Sequence, residues 1–198
     1  MSSILIQLAI GTLILCAEVY FNAHLREQVP MFDYLYQSSE TTYGMPRAYG
    51  LIPISLVVAG FTIQIIGFMV GAARSKIAEK AKAQGDKDAE KRFKLPKMYA
   101  EGFSDLARDF NNLQRGHQNP LESIALFLIV TLIGGCLAPL TCSLNAVLWA
   151  YARYEWAQSY KVRGPEKRFA HPLSGWVWIS LLVNMFSCIG VGVKMLAF

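Results

Sequence analysis

The chain has 198 residues, 54% hydrophobic and only 17% charged, with a formal net charge of +5. A soluble domain averages roughly 25% charged residues, and here the charges are clustered, which leaves long apolar stretches almost free of them. The positive excess argues against nucleic-acid binding: it falls into two basic clusters separated by two apolar segments, the layout that the positive-inside rule expects of cytosolic loops.

In chain order, Ser3–Phe21 is apolar apart from Gln7 and Glu18. It lacks the basic start and small-residue cleavage site of a signal peptide. Residues 1–25 are therefore expected to form an additional N-terminal transmembrane or anchor helix, with a cleaved leader as the alternative. Residues 26–46, with Pro30, Gly44 and Pro46, are expected to be a lumenal linker. Tyr49–Ala73 then carries no charge, and about 20 such residues cross a bilayer core as helix.

Nine of the 19 Lys and Arg lie between Arg74 and Lys97. The first half of this stretch reads as a helical extension into the cytosol, interrupted at Gly85 and closed at Pro96. The next helix is expected to start near Ser104 or Asp109 and run to about Gly134, polar at its beginning and apolar afterwards. An uncharged turn, Gly134–Cys142, belongs on the opposite side. The apolar run from Ser143 is short, so its helix must extend through Tyr160. Lys161, Arg163, Lys167 and Arg168 form the second basic cluster, and Leu173–Val193 completes a set of four to five spanning helices. Cys136 and Cys142 flank the uncharged turn, where either a disulfide or buried free thiols are expected; none of the four cysteines, at 16, 136, 142 and 188, has a metal-like pair spacing.

The densest chemistry is in Phe110–Glu122, which reads FNNLQRGHQNPLE. At the helical repeat Arg115, Asn119 and Glu122 share an arc of about 60°. Ionisable residues at the edge of a span are costly and by default mark a site. Arg115 and Glu122 lie about 10 Å apart along the axis, and three extended residues span about the same distance. A zwitterionic peptide therefore fits, with Arg115 on a carboxylate and Glu122 on an ammonium group. An internal ion-pair network is the alternative. His117 faces the other way and is expected at an interface, not as a metal ligand. Pro120 removes an N–H from the helix, so a local kink is expected. Arg153, Trp156 and Tyr160 share a face of the following helix, a pattern that also suits an aromatic belt at the membrane interface.

Taken together, these segments resemble the MAPEG family, the membrane-associated proteins of eicosanoid and glutathione metabolism, and within it the microsomal glutathione transferase branch. FNNLQRGHQNPLE matches that branch's F-N-x-x-Q-R-x-H-Q-N-x-x-E. RAYG before the first core helix, AAR ending at Arg74, KRFKLPKMY, R-x6-Y and P-x-K-R support it. The resemblance implies an all-α fold: a transmembrane four-helix bundle over residues 47–198, here with the extra N-terminal helix and a basic cytosolic insertion at about 75–90. It implies a homotrimer in the endoplasmic reticulum membrane, with glutathione as co-substrate and no metal. Arg115, Asn119 and Glu122 would bind glutathione, Arg74 would reach it across a subunit interface, and Arg153 and Trp156 would line the same site. Tyr160 and the Lys167–Arg168 pair would act on the thiolate, with Arg168 favoured for its fixed donor fork. The other partners implied are membrane lipid and a lipophilic electrophile or lipid hydroperoxide.

Trp156 departs from the family's usual tyrosine, which keeps a non-catalytic lipid-binding scaffold of the same fold in play. An unrelated small tetraspan protein or transporter subunit is the further alternative.

Overall fold

The computed structural model describes residues 2–38, 44–94 and 97–197, and among these the fold is all-α, without a strand. Five long helices account for most of it: α1 (Ser2–His24), α3 (Leu51–Ala83), α5 (Asp105–Gly134), α6 (Pro139–Arg163) and α7 (Trp176–Ala197). Two short ones, α2 (Pro30–Tyr36) and α4 (Ala89–Phe93), lie in the connections. α1, the stretch Arg47–Ala83 and the stretch Pro172–Ala197 are each long and apolar enough to cross a membrane. α5 and α6 fall outside that set because each carries a polar half, and those halves hold most of the candidate site residues.

The helix limits follow local chemistry. α3 outlasts its apolar stretch and runs on to Ala83, where the chain turns at Gly85 with φ 89°, a left-handed conformation that a side chain disfavours. Closure at Pro96 falls outside the described residues. α5 continues through Pro120, and α6 carries on past Tyr160 to Arg163. Part of the expected linker is helical: Pro30 starts α2, where its missing N–H is no loss.

The chain divides into two compact units, with boundaries inside α3, α5 and α6. The first comprises the residues up to Gly60, Ile124–Ala152, and those from Gly175 onward. Within it α1 packs on α7. Gly11 makes this approach possible, since a Cβ there would stand 2.9 Å from a methyl of Val183. Glu18 is buried (8% exposed) and accepts the backbone N–H groups of Leu140 and Thr141 at 2.9 and 2.6 Å, and also the Tyr36 hydroxyl. These N–H groups belong to the first turn of α6, where no intrahelical acceptor exists and the helix dipole favours an anion. Nearby, Asn184 bridges α5 and α6, accepting from Asn145 at 3.0 Å and donating to Thr131 at 2.8 Å. All four cysteines are free and only Cys142 is buried, so no bond closes the Cys136–Cys142 turn.

The second unit comprises Phe61–Ser123 and Arg153–Ser174. Its apolar centre draws on α3, α4 and α5, with Ile77, Ala81, Ala89, Phe93, Ala107 and Phe110 all buried. The basic insertion is thus a packed element and more than a solvated helix. Its outer face carries ion pairs, among them Glu90 with Lys82 at 2.6 Å and with Lys94 at 2.9 Å.

Candidate functional site

Every candidate site residue lies in the second unit. On α5 the expected polar face is present, but its charges meet each other. Arg115 donates to both carboxylate oxygens of Glu122, at 2.5 and 3.3 Å. A separation of two helical turns is bridged because both side chains are long and share one face. The pair is partly open, with the Arg115 side chain 38% and Glu122 54% exposed. The two ends expected to grip a peptide thus form the internal ion pair that the sequence allowed as the alternative.

Asn119 ties this pair to α6. Its Nδ2 donates to Glu122 at 3.4 Å, while its Oδ1 accepts from Arg153 at 2.5 Å. Arg153 also donates to the Ser123 hydroxyl at 2.6 Å and is only 1% exposed. Arg153 therefore does not line an open surface, as a residue beside a ligand would. It lies behind Asn119 and fixes which way that amide points. A guanidinium held in a rigid donor fork suits this role better than an ammonium.

One and two turns further along α6 stand Trp156, 4% exposed, and Tyr160, half-buried, their ring centroids 4.9 Å apart. Trp156 is a packing partner of the tyrosine and offers no hydroxyl. The loop after α6 carries Lys167, exposed, and Arg168, half-buried. The Arg168 guanidinium donates to the Pro165 carbonyl at 2.5 Å and lies 5.2 Å from the centre of the Phe169 ring. Neither cation joins the Arg115 network through a described hydrogen bond or ion pair.

Arg74 belongs to a different place. It lines a cavity of about 780 Å³ with Lys94, Met98, Gln114, His117 and Gln118, on a face of α5 that adjoins the face of Arg115 and Glu122. His117, assigned to an interface, is therefore a cavity residue beside Arg74. Gln118 is fixed there by the Tyr99 hydroxyl. The sequence signal for this second face was the spread of polar residues around α5: Gln114, His117 and Gln118 occupy a face next to that of Arg115, Asn119 and Glu122, with Gln118 only about 40° from Glu122 at the helical repeat. No group of three or more His, Cys, Asp or Glu side chains among the described residues could hold a metal ion.

An all-α chain with several helices long and apolar enough to span a bilayer, and with a cluster of charged side chains partly open at one helix face, has the make-up of a polytopic membrane protein with a candidate polar site. Residues 52–190 match the MAPEG family, and the chain belongs to it. The matched span takes in α5 and α6 whole and most of α3 and α7, while α1 lies before it. The family includes glutathione transferases and peroxidases as well as non-enzymatic membrane proteins, and its members typically use glutathione.

Proposed function

We propose that this protein is a membrane-bound glutathione transferase and peroxidase, resembling microsomal glutathione S-transferase 3 most closely and working as a homotrimer in the endoplasmic reticulum membrane. The observation that carries the reading is the half-exposed Arg115–Glu122 pair, held in register by the buried Arg153 through Asn119. Arg115 and Glu122 exchange each other for the two ends of the tripeptide. The exchange keeps both charges paired, so its net penalty is small for groups this exposed. Arg74 bonds the Phe93 and Lys97 carbonyls and makes no described hydrogen bond to this network within one chain, and its role is across a subunit interface.

The chemistry requires a thiolate, because that form is the nucleophile. A free thiol titrates near 8.5, and a neighbouring cation favours the deprotonated form. Arg168, or Lys167 beside it, supplies that cation, and the Tyr160 hydroxyl donates to the sulfur. In conjugation the thiolate forms a C–S bond with an electrophilic carbon and the leaving group departs with its electron pair. With a lipid hydroperoxide the sulfur attacks oxygen, the O–O bond breaks, and the lipid alkoxide takes a proton to become the alcohol. A second glutathione then converts the sulfenic acid to the disulfide and water.

Thiolate absorbance in the ultraviolet, followed while glutathione is added to purified protein at neutral pH, tests the reading. A saturable signal that Arg115→Ala abolishes is expected. Arg168→Ala should lose the thiolate signal and most turnover while retaining glutathione binding; unchanged turnover removes Arg168 from the mechanism. A folded trimer with no signal favours the lipid-binding scaffold, the reading that the buried, hydroxyl-free Trp156 supports.

A further inference from the structure

Arg74 is held by uncharged groups. Its guanidinium donates to the Lys97 carbonyl at 2.7 Å and the Phe93 carbonyl at 3.4 Å, and lies 5.0 Å from the centre of the Phe110 ring. Among the described residues no carboxylate pairs with it. The other cation lining the same cavity, Lys94, is already bonded to Glu90. Carbonyls and a ring face fix the direction of a guanidinium without cancelling its charge, so an anion arriving in the cavity meets Arg74 at full strength.

Both carbonyls belong to the connection between α3 and α5, and that connection is held down by a side chain. Phe93 is 1% exposed and meets Phe110 edge-on, with ring centroids 5.6 Å apart and planes at 65°. Phe110 in turn lies beneath Arg74. One aromatic pair therefore sets both the Phe93 carbonyl and the ring on which the arginine rests.

We propose that α4, with Lys97 beyond it, forms a cap whose task is to aim Arg74, with Phe93 as its anchor. Phe93 and Lys97 are positioning residues that act through Arg74, which receives an anionic group of the ligand in the cavity. The identity of that ligand as glutathione rests on the function proposed above; the aiming of Arg74 does not.

The experiment compares Phe93→Ala, Phe93→Leu, Arg74→Ala and the double variant Phe93→Ala/Arg74→Ala in the full chain. Phe93→Ala should raise KM for glutathione by about tenfold, the scale of one charge-assisted hydrogen bond, with kcat at saturation little changed. It should add nothing in the Arg74→Ala background, and Phe93→Leu should recover most of the loss. Independent, multiplying losses overturn the proposal. A second readout needs no ligand: the rate at which phenylglyoxal modifies Arg74, measured on its peptide by mass spectrometry. That rate should rise severalfold in Phe93→Ala and stay near wild type in Phe93→Leu. Should Phe93→Ala not fold, Phe93→Val, which shortens the anchor but keeps it apolar, should give a smaller rise in the same direction. Equal rates in wild type and variants overturn the cap's role. A raised rate in a protein that binds no glutathione upholds it and removes glutathione as the ligand.

Discussion

Each of the two units buries polar side chains within apolar helices, and each uses them differently. In the first, Glu18, Asn145 and Asn184 are 8%, 3% and 0% exposed, and their hydrogen bonds run to other parts of the same unit. In the second, Arg115 and Glu122 keep 38% and 54% of their side chains open, and the ion pair they make is with each other. Polarity alone does not separate glue from site, since a membrane helix needs partners for any polar group it carries. Openness does. A closed network holds helices together, whereas a pair satisfied by itself at an exposed edge can exchange its partner for a ligand at little expense.

Substitutions sharpen this contrast. The largest expected effect on stability is at Glu18. Glu18→Ala leaves two N–H groups of α6 and the Tyr36 hydroxyl without their acceptor, and charge-assisted bonds of this kind contribute about 1.5–3 kcal/mol each. A fall in thermal midpoint in detergent is expected, with turnover per folded molecule unchanged; a drop in turnover at full stability would place Glu18 with the site. Next comes Arg115→Ala, which should weaken glutathione binding by at least about tenfold through loss of a bidentate contact. Its stability should shift by under about 1 kcal/mol, because an exposed pair contributes little. A large stability loss in that variant would reduce the pair to glue. Asn184→Ala should cost about 1 kcal/mol, typical of interhelical bonds in membrane proteins, with binding unaffected.

The smallest effect is a pH dependence of the cap. Lys82 first and Lys94 second hold the Glu90 carboxylate down to about 2, from an ordinary value of 4.5. The folded value is the lower one, so the pairing contributes fully above about 4.5 and is lost as pH falls towards 2. Amide exchange across residues 82–94, corrected for intrinsic rates, should be flat from neutral pH to about 5 and accelerate below. Glu90→Gln should abolish the dependence, and salt should weaken it, because these groups are exposed.

Much of this architecture was legible in the residues. Charge-free stretches marked the spans, Gly85 the turn after α3, and the helical repeat the common face of Arg115, Asn119 and Glu122. What escaped the sequence depends on how far side chains reach and what they meet. Periodicity places Arg115 and Glu122 on one face but does not say that they touch. Arg153 shares a face with Trp156 and Tyr160, yet its burial behind Asn119 depends on how α5 and α6 pack. The insertion looked like a solvated basic helix because its buried positions are mostly alanines, Ala78, Ala81 and Ala89, which give little apolar signal. Their core is completed by Ile77, by Phe93 and by Phe110 of the next long helix.

Glu18 also sets an order for biosynthesis. The carboxylate and the α6 N–H groups that receive it are 122 and 123 residues apart. At about 5–20 residues per second, the acid emerges on the order of 6–25 s before these two N–H groups exist, with the Tyr36 hydroxyl as its earlier partner. A carboxylate facing lipid is unfavourable by at least about 2.5 kcal/mol, so through that interval the nascent chain carries a group whose full set of partners arrives only with α6. The same contact that docks α1 thus marks an unfinished chain, and a protein truncated before α6 would display that mark permanently to whatever surveys the membrane.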